Sequence, residues 1–242
     1  MRASHLVAAA FAAWLLAPCA MAQSASPAAP VVAAPAARAL LYLDPVEFAP
    51  ANLLPPPPPA GSLVEKIDLE TVRRIGAAAT PRRLAQANWD GDHEDPSAFS
   101  TVMGRDLTKL PATMALLTLV QEEADRVAAN GKDHFGRPRP YALDPTLPHC
   151  GNGSKAARAY PSGHAAIGFA LAWTLARLEP AKTPALLERA GDYAMSRVIC
   201  GVHYISDTSA SQVIGTLVAD RLMADPRLTD RIAAARRELS GT

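Results

Sequence analysis

From Ser62 to the end of the chain, apolar residues recur at intervals of three and four, and no convincing run alternates apolar with polar. That period buries one face of an α-helix, whereas a half-buried strand needs strict alternation. "TMALLTLVQEEADRVAA" puts Leu116, Leu119, Val120 and Val127 on one face and Glu122, Glu123 and Asp125 on others. "HAAIGFALAWTLARLEP" repeats the theme through Ile167, Leu171, Leu175 and Leu178, and Pro180 closes it. "PALLERAGDYAMSR", "SDTSASQVIGTLVADRLMAD" and "DPRLTDRIAAARREL" supply three more helices. The expected fold class is all-α: a compact single-domain helical bundle over residues 62–242, with no sizeable sheet.

Ahead of this domain the chain reads differently. "MRASHLVAAAFAAWLLAPCAMAQS" has one arginine, an apolar run and small residues at Ala20 and Ala22, the layout of a secretory signal peptide cleaved after Ala22. The run is too short and wrongly flanked for a spanning helix, and no later apolar stretch reaches spanning length. Export to the periplasm, with no membrane attachment after cleavage, is the expectation. Residues 23–40 are rich in Ala, Pro and Ser and read as a flexible lead-in. The five prolines Pro55–Pro59 must be extended polyproline II, read as a stiff strap over the domain. Residues 23–61 are therefore set apart as an N-terminal segment.

Cleavage would leave 220 of the 242 residues, with 23 basic and 23 acidic side chains. Such a balance gives no ground for nucleic-acid or anionic-membrane binding, so any anion selectivity must come from a local cluster. It would also leave two cysteines, Cys150 and Cys200, in an oxidising compartment, where a disulfide between them is expected. Two buried thiols are the alternative.

Three segments concentrate unusual residues. In "KDHFGRPRP", Lys132 and Arg139 bracket a stretch broken by glycine and proline. Arg139 precedes Pro140 and so belongs on an extended loop. In "YPSGHAAIGFA", Ser162 and Gly163 open a helix, where unpartnered N–H groups and the helix dipole favour an anion, and His164 falls in the first turn. Ordinary capping by Ser162 with an incidental histidine is the competing reading. In "SRVICGVHYISD", His203 and Asp207 stand four apart, hence on one face if helical. Arg197 would point elsewhere unless Gly201 breaks the helix.

Jointly the three are more specific. Lys, six residues, Arg-Pro; Pro-Ser-Gly-His; Ser-Arg, five residues, His, three residues, Asp: all occur complete and in order. The chain resembles the type 2 phosphatidic acid phosphatase superfamily. More narrowly, from "YLDPVEF" and "NLLPPPPPAGS" through "AYPSGH" to "SRVICGVHYISD", it resembles the class A bacterial non-specific acid phosphatases. The resemblance implies that Lys132, Arg139 and Arg197, with Ser162 and the Gly163 amide, hold the phosphate oxygens. It implies that His203 attacks phosphorus and carries a phosphohistidine, that His164 is general acid and then base, and that Asp207 orients His203. The implied enzyme is a metal-independent acid phosphatase with no cofactor, acting on small phosphate monoesters such as nucleotides, sugar phosphates or aryl phosphates. A phosphotransferase side activity and a homo-oligomer are both compatible with it.

The physical requirements agree: phosphoryl transfer needs charge stabilisation and in-line positioning, which three cations and a helix N-terminus supply. Two imidazoles with opposite duties predict a bell-shaped pH profile on the acidic side of neutrality. The chain departs from the family pattern at Arg158-Ala159 before Tyr160 and at Ala165 after His164. Arg158 is expected near the mouth, where it would alter substrate preference. Asn130-Gly131 reads as a break in the helix carrying Lys132. "NWDGDHEDP" (88–96) lacks the spacing of a calcium loop and reads as a solvated turn. His134 and His149 read as structural or rim residues. A vanadate-dependent haloperoxidase, a lipid phosphate phosphatase and a non-catalytic phosphate-binding protein are the other functions considered. The first usually needs a longer chain, the second spanning helices, and the third no nucleophile and acid pair.

Overall fold

The computed structural model describes residues 37–151 and 155–241; the expected leader, its cleavage site and residues 23–36 lie outside them. Among the described residues there is no strand. The α-helices are α1 (Pro50–Leu53), α2 (Leu63–Ala78), α3 (Pro81–Asp92), α4 (Ser100–Met103), α5 (Pro111–Phe135), α6 (Pro140–Leu143), α7 (Gly163–Leu178), α8 (Thr183–Ile199), α9 (Ile205–Met223) and α10 (Thr229–Ser240). The all-α expectation holds. None of the described helices is long and apolar enough to cross a membrane.

Local chemistry sets the helix ends. Ser62 accepts from the Glu65 amide at 3.2 Å while the Glu65 carboxylate accepts from the Gly61 amide at 2.6 Å, so α2 starts on a reciprocal cap. Pro111 opens α5, and Gly136, at φ 57°, ends it in the left-handed region that glycine tolerates.

α7 is buried on nearly every side, with only Arg177, Trp173 and His164 outside its buried set. A helix apolar all round belongs at the centre of a fold, and α5, α8, α9 and α10 pack around it. The α7–α9 crossing is close because α9 presents Gly215. A Cβ there would stand 2.5 Å from the Ala166 carbonyl oxygen and 2.7 Å from the Ala170 nitrogen. This contact brings the N-terminal ends of α7 and α9 together. The Ser162 amide donates to Ser211 Oγ at 2.8 Å, and that hydroxyl donates to the Asp207 carbonyl at 2.6 Å.

Three sequence expectations need correction. Asn130-Gly131 does not interrupt α5, which runs unbroken to Phe135. Gly131 serves packing instead: a Cβ there would lie 2.7 Å from Cδ of Pro161. Glu123 is not on a different face from Leu116, Val120 and Val127 but buried with them, where it accepts from the backbone amides of Leu41 (3.0 Å) and Tyr42 (3.3 Å). Folded structure also starts well before Ser62. The Arg38 amide donates to Asn130 Oδ1 at 2.7 Å, and the Asn130 amide group returns a bond to the Arg38 carbonyl at 3.0 Å. Leu43, Phe48 and Leu54 then join the main core. The proline strap that follows is pinned where the Tyr160 hydroxyl donates to the Pro55 carbonyl at 2.9 Å.

Candidate active site

Ser162 caps α7 with its side chain, which accepts from the Ala165 amide at 3.4 Å. The ordinary cap is therefore present, and its surroundings add a second feature. A Cβ on Gly163 would stand 2.7 Å from Nζ of Lys132, so an ammonium group sits against the positive end of a helix dipole. Like signs converge there, which favours an anion between them. Burial, followed by the field of Arg139, pushes the Lys132 ammonium down to about 8.

Arg139 has the extended backbone expected before proline, with φ −74° and ψ 157°. Its guanidinium donates to the carbonyls of Lys155 and Val202, each at 3.1 Å, and reaches Nε2 of His203 at 3.4 Å. Arg197 is buried, and its Nε and Nη1 have no hydrogen-bond partner among the described residues. A buried guanidinium with open donors is costly unless a ligand meets it.

The break expected at Gly201 is present. α8 ends at Ile199 and α9 begins at Ile205, with Gly201 between them at φ 64° and its Cα packed against the Pro148 carbonyl. The Cys150–Cys200 disulfide is formed, and the Cys150 amide donates to the Cys200 carbonyl at 3.0 Å. The 147–150 loop is thereby stapled to the turn that leads to His203.

His203 is not on a helix face with Asp207, as the four-residue spacing suggests; it lies in the turn before α9, and Asp207 is in the first turn of α9. They still meet, with Nδ1 3.3 Å from Oδ2. Arg139 can only donate, so Nε2 of His203 must present its lone pair and Nδ1 must carry the hydrogen facing Asp207. Burial, and then the fields of Arg139, Lys132, Arg197 and His164, push the imidazole well below the ordinary histidine range. His203 is a neutral imidazole with its free lone pair among cations.

Sequence reasoning missed Arg137, two residues from Arg139. It is buried, with its guanidinium 2.6 Å from Oδ1 of Asp207, 2.7 Å from Oγ of Ser206 and 3.0 Å from Oδ2 of Asp68 on α2. It also stacks 3.8 Å over the Tyr204 ring. Asp207 takes the Tyr204 amide on Oδ2 at 2.9 Å. Burial, working against the pull of Arg137 and that amide, pushes the Asp207 carboxyl up to about 7. "RP-R-P" spacing alone carried no sign that the first arginine would turn inward.

"NWDGDHEDP" is not a solvated turn. Its first half completes α3, where Asp90 is fully buried between Gln86, Ser196 and Arg189, the last at 2.5 Å. Gly91 lets Arg197 pass: a Cβ there would lie 2.6 Å from Nη1. Glu94 reaches Nδ1 of His164 at 2.8 Å, while the Gly91 carbonyl faces Nε2 at 3.1 Å. The segment reads as solvated because its partners lie on α7 and α8, remote in sequence. His134 and His149 make ring contacts, with Phe135 and Tyr141 respectively. Arg158 pairs with Asp133, both half-buried.

Comparison with known proteins settles the family. A model described as the PAP2 superfamily matches residues 106–227, half of the chain. The chain belongs to the PAP2 superfamily. Within the superfamily it is similar to the non-specific acid phosphatase of Providencia stuartii, 30% identical over 203 residues (78% of this chain, 79% of the relative). The enzyme of the same name from Salmonella typhimurium is 31% identical over 196 residues (77% and 78%). The acid phosphatase of Zymomonas mobilis is 30% identical over 202 residues (78% and 75%). The PAP2 match includes Lys132, Arg139, His164, Arg197, His203 and Asp207 but starts after Asp68, Gly91 and Glu94.

Proposed function

We propose that this PAP2 superfamily member, a phosphoric monoester hydrolase of the acid phosphatase type, works through a phosphohistidine on His203 and needs no metal ion. The observation that carries the reading is the pairing of a neutral His203, its Nε2 lone pair facing the cation cluster, with an Arg197 whose Nε and Nη1 lack partners among the described residues. A phosphate monoester would meet Arg197, Lys132 and Arg139 with its non-bridging oxygens, aided by the α7 N-terminus. Nε2 of His203 forms the bond to phosphorus as the ester P–O bond breaks, and an N–H of His164 gives its proton to the leaving oxygen. Water then attacks phosphorus, His164 takes its proton, the N–P bond breaks and phosphate departs. An alcohol in place of water would give phosphotransfer. Asp207 holds the Nδ1–H tautomer and meets the positive charge that develops on the ring.

The test is phosphate release from p-nitrophenyl phosphate in excess chelator, for wild type and His203→Ala, with rapid denaturing quench to trap an acid-labile phosphoenzyme. The reading expects full wild-type activity, a trapped adduct, and neither in the variant. A chelator-sensitive wild type, or a variant that still forms the adduct, would overturn it. The apolar leader and the disulfide support an exported, periplasmic enzyme, which cell fractionation checks.

A further inference from the structure

The loop between α3 and the following helical turn is held at each step. The Gly91 carbonyl faces Nε2 of His164, the His93 carbonyl accepts from the Tyr193 hydroxyl at 2.8 Å, and the Glu94 carbonyl accepts from Gln121 Nε2 at 2.6 Å. Asp95 then accepts from the Ser97 amide at 2.7 Å and caps the next turn. With the backbone clamped from α5, α7 and α8, the Glu94 side chain projects toward α7 and comes within 2.8 Å of Nδ1 of His164.

The two ring contacts fix the state of His164. A carbonyl oxygen can only accept, so Nε2 carries a hydrogen. Burial would raise the Glu94 carboxyl, but the hydrogen bond from His164, with Lys132 and Arg197 nearby, holds it below the ordinary carboxylate range. Glu94 is therefore ionised and accepting, and Nδ1 carries a hydrogen as well. An imidazole with hydrogens on both nitrogens is an acid ready to give one up. Other groups face the pair from neighbouring elements: Lys132 and Asp125 on α5, Arg197 and Tyr193 on α8, and His203 on its turn. The Glu94 carboxylate, at contact distance from Nδ1, balances the charge that a ring with both hydrogens carries.

We propose that Glu94 is the positioning residue of the general acid: it grips Nδ1 of His164, keeps the ring charged, and leaves Nε2–H to be delivered to the leaving-group oxygen. The Nε2 contact is the one to be surrendered, because it is longer and made to a neutral carbonyl, whereas the Nδ1 contact is charge-assisted. This inference rests on the reading of His164 as general acid.

A leaving group of low basicity needs little protonation, so a weakened acid is felt on alkyl esters and hardly on p-nitrophenyl phosphate. The experiment compares kcat/KM, which reports the first phosphoryl transfer, for ethyl phosphate and p-nitrophenyl phosphate in wild type, Glu94→Ala, Glu94→Gln, Glu94→Asp and His164→Ala. General-acid catalysis contributes about 10²–10⁴-fold. Glu94→Ala is expected to lose about 10–100-fold on ethyl phosphate and less than about 3-fold on p-nitrophenyl phosphate. Glu94→Gln should fall between, and Glu94→Asp should recover part of the loss. Equal losses on both esters, or none, would overturn the role of Glu94. Should His164→Ala itself lack the selective loss on ethyl phosphate, the general-acid reading fails and this inference with it. If His164→Ala shows the selective loss and Glu94→Ala does not, only the inference falls. Inhibition by inorganic phosphate verifies that each variant retains a folded anion site.

Discussion

The site holds two histidine–carboxylate pairs, and they differ in which group balances the carboxylate. Asp207 is fully buried and its shortest contact is the Arg137 guanidinium at 2.6 Å, with His203 at 3.3 Å. Glu94 is part-exposed and its partner is the His164 ring itself, at 2.8 Å. Where an arginine makes the shortest contact to the carboxylate, the imidazole is left neutral, as the proposed nucleophile requires. Where the imidazole itself makes that contact, with Lys132 and Arg197 farther off, it is the ring proposed as the acid. One residue pair thus yields two reagents, and the choice is made by a third residue.

The largest expected effect comes from removing the buried carboxylate's charge. Asp207→Asn keeps the shape but offers His203 the wrong hydrogen-bonding partner, and kcat/KM for p-nitrophenyl phosphate should fall on the order of 10²–10⁴-fold. A fall like that of a surface mutation would show that the Arg137 side, not the His203 side, is what Asp207 serves.

Arg137→Met attacks the balance itself, leaving Asp68 and Asp207 buried without their common cation. Breaking a buried ion pair costs about 3–5 kcal/mol, which urea unfolding would read. Adding Asp68→Asn should recover part of the loss. No recovery would mean that Arg137 contributes chiefly through its packing on Tyr204.

A third test concerns the cations common to both pairs. Lys132 is pushed down to about 8, so its charge is present below that pH and lost above it. In the free enzyme, kcat/KM and inhibition by phosphate should weaken as pH rises through about 8, by up to about tenfold per pH unit. Lys132→Arg, whose charge persists, should remove this limb even if the rate is lower overall. Smallest is Arg158→Ala. Its half-buried pair with Asp133 should contribute on the order of 1 kcal/mol, and the ratio of rates on nucleotide and aryl phosphates reports any influence at the mouth.

Much of this was legible because it is local. The helical period, the Ser162 cap, the extended Arg139 before Pro140 and the glycine break ahead of His203 are each determined within a few residues of chain. What escaped reading depends on partners far away. Arg137 meets Asp68 and Asp207 across 69 and 70 residues, and nothing beside it says whether it turns inward or outward. Glu94 sits in a stretch whose acidic, glycine-containing composition reads as a turn until α7 and α8 close over it. Glu123 reads as belonging to another face by its charge, although its spacing from Leu116, Val120 and Val127 puts it on theirs, where the backbone of residues 41 and 42 meets it. Gly131 reads as a breaker, but a helix accepts one glycine when a proline ring needs the space.

Asp68 and Glu94 both precede residue 106, where the superfamily match begins. A polypeptide trimmed to 106–227 would keep the proposed nucleophile, the proposed acid and the three cations proposed to face phosphate. It would lack the carboxylate that shares Arg137 and the one that grips His164. Transplanting the matched segment alone onto another N-terminal half would therefore carry over the reacting groups without the charges that assign their roles. Chimeras between relatives should preserve α2 and the end of α3 with the segment they serve.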